Sequence, residues 1–581
     1  MSIIYLITVL IMIILHILIY KKEGKQNLLK WIAITIVINL CYNIFICVIL
    51  SFIKISSTLI TLSIINTIIS ILLGIKIYKD KKIQKYEINK IDIIAVIIML
   101  IIVILTVIKQ YGIPINITHE ITDGTIHYFV ANEFYHTSQL LFNGNSDVLD
   151  MWHVDFFMPG AYINTGILFK IFSGFISETY FYQLYFIFDI SIWFLSGILM
   201  YVFLSKNKKI IPLIFSIIYM IGYPLNSLLS GFSYLSLVLD IIIAILIVNR
   251  EEINKYYKMI IMFLLNFGMF FSYYFFAPVV YLAIFLQIII EIKKNNEKIF
   301  SKDNIIKILY TLILPGTIGV LFFVVFQYLQ FSTNPVTNSA DLISTNGTIY
   351  MNFIGNIIIF LLLSIYFIIY CIKNRKNTLE NIMLIINIVF TLILYIGMKT
   401  EKVSEYYYYK TYYLLWILVV SVGYYGIEQI IEKRKLIPYL CIAIYCSGIF
   451  ISIISNKAFY IFDIFRENNR IIQEDNIIIS YDEIKLLDYY NTNINTRQQD
   501  TYVTVTTGPR AIWLYVLTRN PYFYINLVFG DNVTQMEQFE QNYRKYFVLL
   551  KRDFEGDYEN LNLENVKILF ENEAGMVIEK N

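Results

Sequence analysis

Long apolar runs separated by short polar segments make up most of the chain as far as residue 455. A helix needs about 20 residues to cross a hydrocarbon core about 30 Å thick, and the runs have roughly this length. We therefore predict a polytopic α-helical membrane protein with about 14 transmembrane helices. The predicted spans are residues 2–20, 28–53, 58–78, 91–109, 178–204, 210–228, 234–249, 258–275, 277–292, 305–331, 353–372, 379–398, 411–430 and 436–455.

Lys and Arg are concentrated in seven of the short segments between these spans. With fourteen spans, all seven segments fall on the same side, which the bias of positive charge assigns to the cytoplasm. The alternation then places both termini and the polar stretch 111–160 outside the cell membrane. The seven basic segments are 21–25, 79–90, 205–209, 249–258, 293–302, 373–376 and 432–435.

One further apolar segment, PGAYINTGILFKIFSGF at 159–175, is not counted as a span. If it crossed the membrane, every later basic segment would move to the outer side. We therefore predict an amphipathic helix that lies along, or dips into, the outer face, with Pro159 in its first turn.

After about residue 455 the apolar runs give way to a charged and mixed pattern. This part contains an amphipathic helix pattern at 480–491, a short helix pattern at 510–517, strand patterns at 501–506 and 546–550, and a hairpin pattern at 566–580. We predict two domains on this basis. They are a transmembrane domain at 1–455, whose outer loop 110–177 carries the candidate site, and a small extracytoplasmic α/β domain at 456–581.

The composition agrees with a membrane protein, since 58% of the residues are hydrophobic and 15% are charged. A formal net charge of +3 gives no reason to expect a nucleic-acid partner. The five cysteines lie in or at the ends of apolar runs and lack the spacing of metal ligands.

The stretch 111–160 carries several acidic residues between apolar runs, and it holds four of the five histidines. Glu120, Asp123 and His127 are spaced by three and four residues, so a helical conformation places them on one face. Asp123 is a candidate general base toward an acceptor hydroxyl, or a contact for a divalent cation such as Mg²⁺ or Mn²⁺. The alternative is that Asp123 caps the helix that follows it.

His153 and Asp155 form a second polar cluster, in the segment MWHVDFFMPG. Their spacing matches no familiar zinc signature. The aromatic residues around them suit a position at headgroup depth. We take Asp155 as a further catalytic candidate, and His153 with Glu120 as candidates for substrate binding.

A third cluster is KTEKVSEYYYYK at 399–410, which we interpret as a short outer loop. Lys402, Tyr409 and Lys410 offer cations and a hydroxyl for a lipid phosphate. The alternative is a basic patch that meets anionic headgroups without specificity.

Three further candidate residues lie outside these clusters. Arg510, in TTGPRAIW, is a candidate contact for a phosphate or a sugar carboxylate, with a surface or capping role as the alternative. Asp189 and Asp240 lie within predicted spans, where ionisable groups are costly and mark functional hypotheses.

These motifs together resemble the GT-C superfamily of integral membrane glycosyltransferases, which use polyprenyl-phosphate-linked sugars. The segments that carry the resemblance are ITDGTIHYFVANEFY, MPGAYINTGILFKIFSGF, EYYYYKTYYLLW and the tail ending in ILFENEAGMVIEK. The resemblance implies a base or metal contact at Asp123 and a second acidic residue at Asp155. It also implies lipid-phosphate contacts at Lys402, Tyr409 and Lys410.

The leading hypothesis is a transferase that moves a sugar from a polyprenyl-phosphate donor to a glycan, lipid or protein acceptor at the outer face, with membrane lipids around it. His127 would orient or assist the Asp123 base. A transporter or flippase of lipid-linked precursors is the alternative, and it predicts ionisable residues and broken helices near mid-membrane. A non-catalytic cell-envelope assembly protein, in which Asp123 is dispensable, is a third hypothesis.

Overall fold

The computed structural model describes most of the chain up to residue 433 and the greater part of the tail. The described ranges are 1–19, 26–80, 85–118, 122–140, 158–205, 210–298, 300–324, 353–374, 378–433, 447, 477–494, 500–504, 508–520, 539–540, 543–554 and 556–580.

Most of these residues are helical. The helices are α1 (Ser2–Ile19), α2 (Leu28–Phe52), α3 (Leu59–Asp80), α4 (Lys90–Tyr111), α5 (Thr122–Thr137), α6 (Gly160–Phe172), α7 (Phe181–Leu204), α8 (Ile210–Met220), α9 (Tyr223–Leu229), α10 (Ser233–Arg250), α11 (Lys255–Tyr273), α12 (Ala277–Lys294), α13 (Lys302–Ile308), α14 (Leu314–Phe322), α15 (Phe353–Lys373), α16 (Leu379–Lys399), α17 (Glu405–Lys433), α18 (Tyr481–Asn493) and α19 (Gly508–Thr518). The strands are β1 (Gln26–Asn27), β2 (Tyr86–Glu87), β3 (Thr501–Val503), β4 (Tyr546–Leu550), β5 (Val566–Asn572) and β6 (Gly575–Lys580).

Many of these helices are long and apolar enough to cross a membrane. Within the described ranges there are 11 such segments, and one of them, Lys255–Lys294, contains both α11 and α12. The first thirteen predicted spans each overlap a helix, whereas the span predicted at 436–455 lies outside the described residues. The chain is therefore a mostly helical polytopic membrane protein, while the number fourteen stays a prediction.

The ends of the helices next to the basic segments meet at one end of the bundle, which we call the basic end. The parallel pair β1–β2 joins the start of α2 to the start of α4. Lys30 on α2 forms an ion pair of 2.6 Å with Glu251, directly after α10. Arg250, the last residue of α10, binds both Glu380 on α16 and Tyr425 on α17. These contacts agree with the alternation of the predicted spans, and the side of the membrane that the basic end faces stays a prediction.

At the opposite end, which we call the site end, α5 and α6 lie side by side. His127 of α5 contacts Tyr162 of α6, and further along both helices Phe134 contacts Lys170. The two helices are therefore parallel. Both finish at the α2–α3 loop, where the Lys170 ammonium donates to the Ser57 carbonyl oxygen at 3.2 Å.

The prediction of an amphipathic α6 is wrong. The helix starts against the end of α11, because a Cβ on Gly160 would lie 2.6 Å from Ser272 Oγ, and it ends at the α2–α3 loop. It thus runs across the site end over a rise of about 20 Å. Eleven of its thirteen residues are buried, because α5 covers the face that the sequence pattern left for solvent.

The sixth predicted span, at 210–228, is broken into α8 and α9 at Gly222. Two tryptophans donate to the last carbonyls of α8, Trp193 Nε1 to Met220 O at 2.8 Å and Trp416 Nε1 to Tyr219 O at 3.1 Å. A Cβ on Gly222 would lie 2.7 Å from the Trp416 ring. Backbone irregularity at membrane depth is tolerated where protein groups satisfy it in this way.

The tail contains a four-stranded sheet in the order β3-β4-β6-β5. β3 and β4 are parallel, whereas β4–β6 and β5–β6 are antiparallel. The predicted strand at 546–550 and the hairpin at 566–580 coincide with β4 and with β5–β6, and the predicted strand at 501–506 is shorter than expected. Ser480 caps α18 with Glu483 in a capping box.

The tail packs directly on the site end of the helices. Ile117, after α4, forms an isolated antiparallel bridge with Ile479, just before α18. Arg519, just after α19, forms an ion pair of 2.7 Å with the buried Glu133 of α5. The Trp513 ring of α19 lies 5.5 Å from that of Tyr128. The tail and α5 therefore hold each other in place.

Replacing Gly166 by Ala is expected to separate α5 from α6. The added Cβ would lie 2.6 Å from Phe134 Cδ1 and 2.9 Å from the Ala131 carbonyl oxygen, and such overpacking costs about 1–3 kcal/mol. Gly74→Ala in α3 is the matched control, because nothing lies within 4 Å of its Cβ position and alanine favours a helix by up to about 1 kcal/mol. Thermal unfolding in detergent should move in opposite directions for the two variants. A rise for both would contradict the α5–α6 packing.

Candidate functional site

His127 of α5 is enclosed by aromatic side chains from other parts of the bundle. Its Nδ1 lies 2.7 Å from the Tyr162 hydroxyl of α6. The Tyr234 ring of α10 lies 5.0 Å away at a steep angle, and the Phe232 ring lies 6.3 Å away. The imidazole is 1% exposed, so its hydrogen bonds are fixed by the fold.

Lys410 of α17 contacts the same two aromatic residues, Phe232 and Tyr234, and is also 1% exposed. Its ammonium is 3.8 Å from the centre of the Phe232 ring and 4.9 Å from that of Tyr406. The Tyr234 hydroxyl is 3.5 Å from Nζ. Aromatic faces attract a cation through the ring quadrupole, and they do so more strongly when water is excluded.

The buried position sets the charge of His127. Burial lowers the pKa of His127, and the nearby Lys410 cation lowers it further, to about 3. The imidazole is therefore neutral across the physiological range, and Lys410 supplies the positive charge of this cluster.

The start of α5 is held against the loop between α9 and α10. Gly231 has a φ of +69°, and a Cβ there would lie 3.0 Å from Gly124 Cα. Only glycine combines this backbone conformation with so close an approach. The contact fixes the first turn of α5, which carries Asp123, one helical turn before His127.

The structure gives the backbone position of Asp123, which lies in the first described turn of α5. Residues 119–121 and the Asp123 side chain lie outside the described parts of the chain, so its roles as base or helix cap stay predictions. An acidic residue in the first turn still interacts favourably with the helix dipole, by about 0.3–1 kcal/mol.

Lys402, Tyr409 and Lys410 do not act as one loop. The predicted loop 399–410 is wrong in its extent, because α17 begins at Glu405 and includes both Tyr409 and Lys410. Consecutive helical residues point about 100° apart, so Tyr409 packs on Tyr408 and Tyr412 while Lys410 faces Phe232. Lys402 is exposed in the short turn before α17.

Arg510 is buried in ion pairs within the tail. Its guanidinium contacts Glu483 at 2.5 Å and Asp553 at 3.0 Å, and donates to the Ile478 carbonyl oxygen at 2.7 Å. Burial opposes the charge, but the two carboxylates raise the pKa of Arg510. These partners give Arg510 a structural role, and substrate contact by this residue stays an untested prediction.

Glu120, His153 and Asp155 lie outside the described residues. Within the described ranges no three His, Cys, Asp or Glu side chains come together as a group that could hold a metal ion. The side chain predicted as a metal contact is not among the described ones, so a divalent cation at Asp123 stays a prediction.

The sequence-based candidates omitted Tyr162, Phe232 and Tyr234. A signal was available in the run Gly231 to Tyr234, where a glycine and two aromatic residues come directly before or at the start of a predicted span. Because the chain contains 48 Tyr and 43 Phe, the background of aromatic residues hides this signal.

The two carboxyl groups predicted inside spans, Asp189 and Asp240, are buried. Neither oxygen of Asp189 on α7 accepts a hydrogen bond from a described residue. Asp240 on α10 accepts one from the Ser196 hydroxyl. Ionisable groups at this depth are costly to bury.

No family model and no curated protein matches the chain. Among solved structures, the chain is similar to the archaeal oligosaccharyltransferase AglB from Archaeoglobus fulgidus, determined in complex with an inhibitory peptide and a dolichol-phosphate. The two are 12% identical, and the similarity covers 78% of this chain and 69% of that chain with a TM-score of 0.40. At this level of similarity, function has to be argued from the residues of the chain itself.

Proposed function

We propose that the chain is a membrane glycosyltransferase that moves a sugar from a polyprenyl-phosphate donor to an acceptor at the outer face of the cell membrane. The observation that carries the proposal is the convergence of His127 and Lys410 on Phe232 and Tyr234, one helical turn from the position of Asp123. A neutral imidazole and a buried cation then lie close to the helical turn that carries an acidic residue, at the site end of an apolar bundle.

Each of these groups has a role in such a reaction. Asp123 takes the proton of the acceptor hydroxyl as it attacks the anomeric carbon. Lys410 neutralises the lipid phosphate as the bond to the sugar breaks, because fixed charge stabilises a leaving group most effectively where water is excluded. The surrounding apolar helices would hold the polyprenyl chain. The tail holds α5, and with it the backbone of Asp123, in place.

The proposal is tested with purified protein in nanodiscs and a panel of polyprenyl-phosphate sugars. The measured quantity is lipid phosphate released per enzyme, with and without added acceptors. Release that depends on an acceptor supports a transferase. Protein that is folded and monodisperse but releases no lipid phosphate from any donor would remove the support for this function.

Lys410→Met is expected to lower kcat/KM for the donor by about 10-fold to 100-fold, because a hydrogen bond to a charged group contributes about 1.5–3 kcal/mol. Methionine keeps most of the volume between the Phe232 and Tyr406 rings and removes the charge. Lys402→Met is the matched control, since Lys402 is exposed in the turn before α17. Equal effects of the two variants would favour a non-specific basic patch.

A transporter of lipid-linked precursors is the second candidate. The helix break at Gly222 and the buried Asp189 and Asp240 favour it, because broken helices and intramembrane carboxyls mark transport pathways. Asp189→Asn and Asp240→Asn separate the two functions. A transporter would lose flux of a fluorescent lipid-linked sugar in both variants, whereas the transferase would keep its lipid-phosphate release.

A further inference from the structure

The hydrogen bond between Tyr162 and His127 has a consequence for the proposed function, on which this inference rests. The two groups are 2.7 Å apart, between the phenol oxygen and Nδ1. Both residues are buried, with Tyr162 2% exposed and His127 1% exposed. A contact of this length between buried groups is a hydrogen bond that the fold keeps.

The direction of this bond follows from the chemistry of the two groups. A neutral imidazole carries its proton on one nitrogen and accepts at the other. The phenol is the better donor and the bare imidazole nitrogen is the better acceptor, so the Tyr162 hydroxyl donates to Nδ1. The proton of the imidazole is then on Nε2, because the hydrogen bond at one ring nitrogen sets the state of the other.

We propose that Tyr162 is a positioning residue that holds His127 as the neutral Nε2–H tautomer, so that the imidazole donates a hydrogen bond to an oxygen of the phosphate bound by Lys410. In this arrangement His127 does not take a proton from the acceptor. That task falls to Asp123 alone. The Nε2–H group of His127 on α5 and the ammonium of Lys410 on α17 then bind the same phosphate.

The groups that face His127 agree with this assignment. Among the described side chains, Tyr162 comes from α6, Tyr234 from α10 and Lys410 from α17, and Phe232 lies directly before α10. The nearby cation and the burial both act against protonation of the ring. A neutral donor beside a fixed cation recognises an anionic oxygen without a cost for removing a second positive charge from water.

The tautomer is measured by histidine-selective ¹⁵N labelling and magic-angle-spinning NMR of the full chain in nanodiscs. The His127 signals are assigned by their loss in His127→Gln. We expect a protonated Nε2 and a bare Nδ1 in the wild type. Tyr162→Phe removes the donor and should give a mixture of tautomers. Tyr182→Phe is the matched control, because it removes a hydrogen bond of the same 2.7 Å length, from Tyr182 to the Ile115 carbonyl oxygen; it should leave the His127 signals in place.

Binding is measured with farnesyl phosphate and with inorganic phosphate as probes; tighter binding of farnesyl phosphate indicates a lipid-linked phosphate, and equal affinities indicate a free one. Either probe should move the Nε2 signal of His127. In His127→Gln the amide nitrogen replaces the Nε2 donor, so this variant keeps most of the affinity. His127→Asn presents its amide near the Nδ1 position and should weaken binding by about 10-fold to 100-fold.

A protonated Nδ1 in the wild type overturns the proposal, and so does an Nε2 signal that neither phosphate moves. Equal affinities of His127→Gln and His127→Asn also overturn it. None of these measurements requires turnover, so they are separate from failure of the proposed transferase, which is the absence of lipid-phosphate release from every sugar donor.

Discussion

Asp123→Asn is expected to lower sugar transfer by about 10²-fold to 10⁴-fold, which is the usual contribution of a positioned general base. The first turn of α5 is fixed by the contact between Gly124 and Gly231, so the variant should keep the position of the backbone. Asparagine has nearly the same shape as aspartate and differs in that it cannot take the proton of the acceptor hydroxyl. The measurement is lipid-phosphate release at saturating donor and acceptor.

Thermal unfolding of the same variant separates catalysis from a local structural role. Loss of the carboxylate near the start of α5 removes a dipole interaction of about 0.3–1 kcal/mol, so the stability should change little. A variant that releases lipid phosphate at the wild-type rate would exclude Asp123 as the base. A transferase would then use another residue as its base, whereas the non-catalytic assembly protein predicts no lipid-phosphate release from either form.

The apolar spans could be predicted from the sequence because each has an unbroken run of the length that a bilayer requires. The character of α6 could not. Its own sequence shows an apolar stripe, but the polar positions Asn164 and Thr165 are buried against other helices. Helices from distant parts of the chain cover the faces of α6, and the local sequence pattern carries no information about these neighbours.

The candidate site could be predicted in part. Asp123, His127 and Lys410 stand out as polar residues next to apolar runs, and the sequence predicts each of them as a site residue. The convergence of His127 and Lys410 depends on the contacts that each makes with Tyr234 and Phe232, which no spacing encodes. The start of α17 was not predicted because the run of four tyrosines before Lys410 is polar enough to suggest a loop. In the structure this run is helical.

The largest loss of stability is expected from Arg510→Met in the tail. Removal of one partner from a buried ion pair leaves uncompensated charge and costs about 3–5 kcal/mol. In this variant Glu483 and Asp553, 2% and 1% exposed, would face each other without the guanidinium. Local opening of α18 and β4 should become easier, and their amide hydrogen exchange should speed up by about 10²-fold or more.

Arg552→Met is the matched control for this variant. Arg552 is exposed and donates to the Ile477 carbonyl oxygen, so its loss should change the exchange rates little. Adding Glu483→Gln and Asp553→Asn to Arg510→Met removes the stranded charges, and a glutamine side chain is still able to complete the capping box of α18. The triple variant should regain much of the lost protection. Exchange in Arg510→Met no faster than in Arg552→Met would show that the buried pairs contribute little.

The effect of Arg510 should also reach the candidate site, although Arg510 itself binds groups of the tail. The residue lies in α19, and the end of that helix presents Arg519 to Glu133 of α5. Loosening α19 therefore frees α5, which carries both Asp123 and His127. We expect Arg510→Met to lower kcat for sugar transfer and the triple variant to restore it, because the fixed geometry of the base depends on the tail. Restored protection without restored kcat would instead point to a direct role of Arg510 in binding substrate.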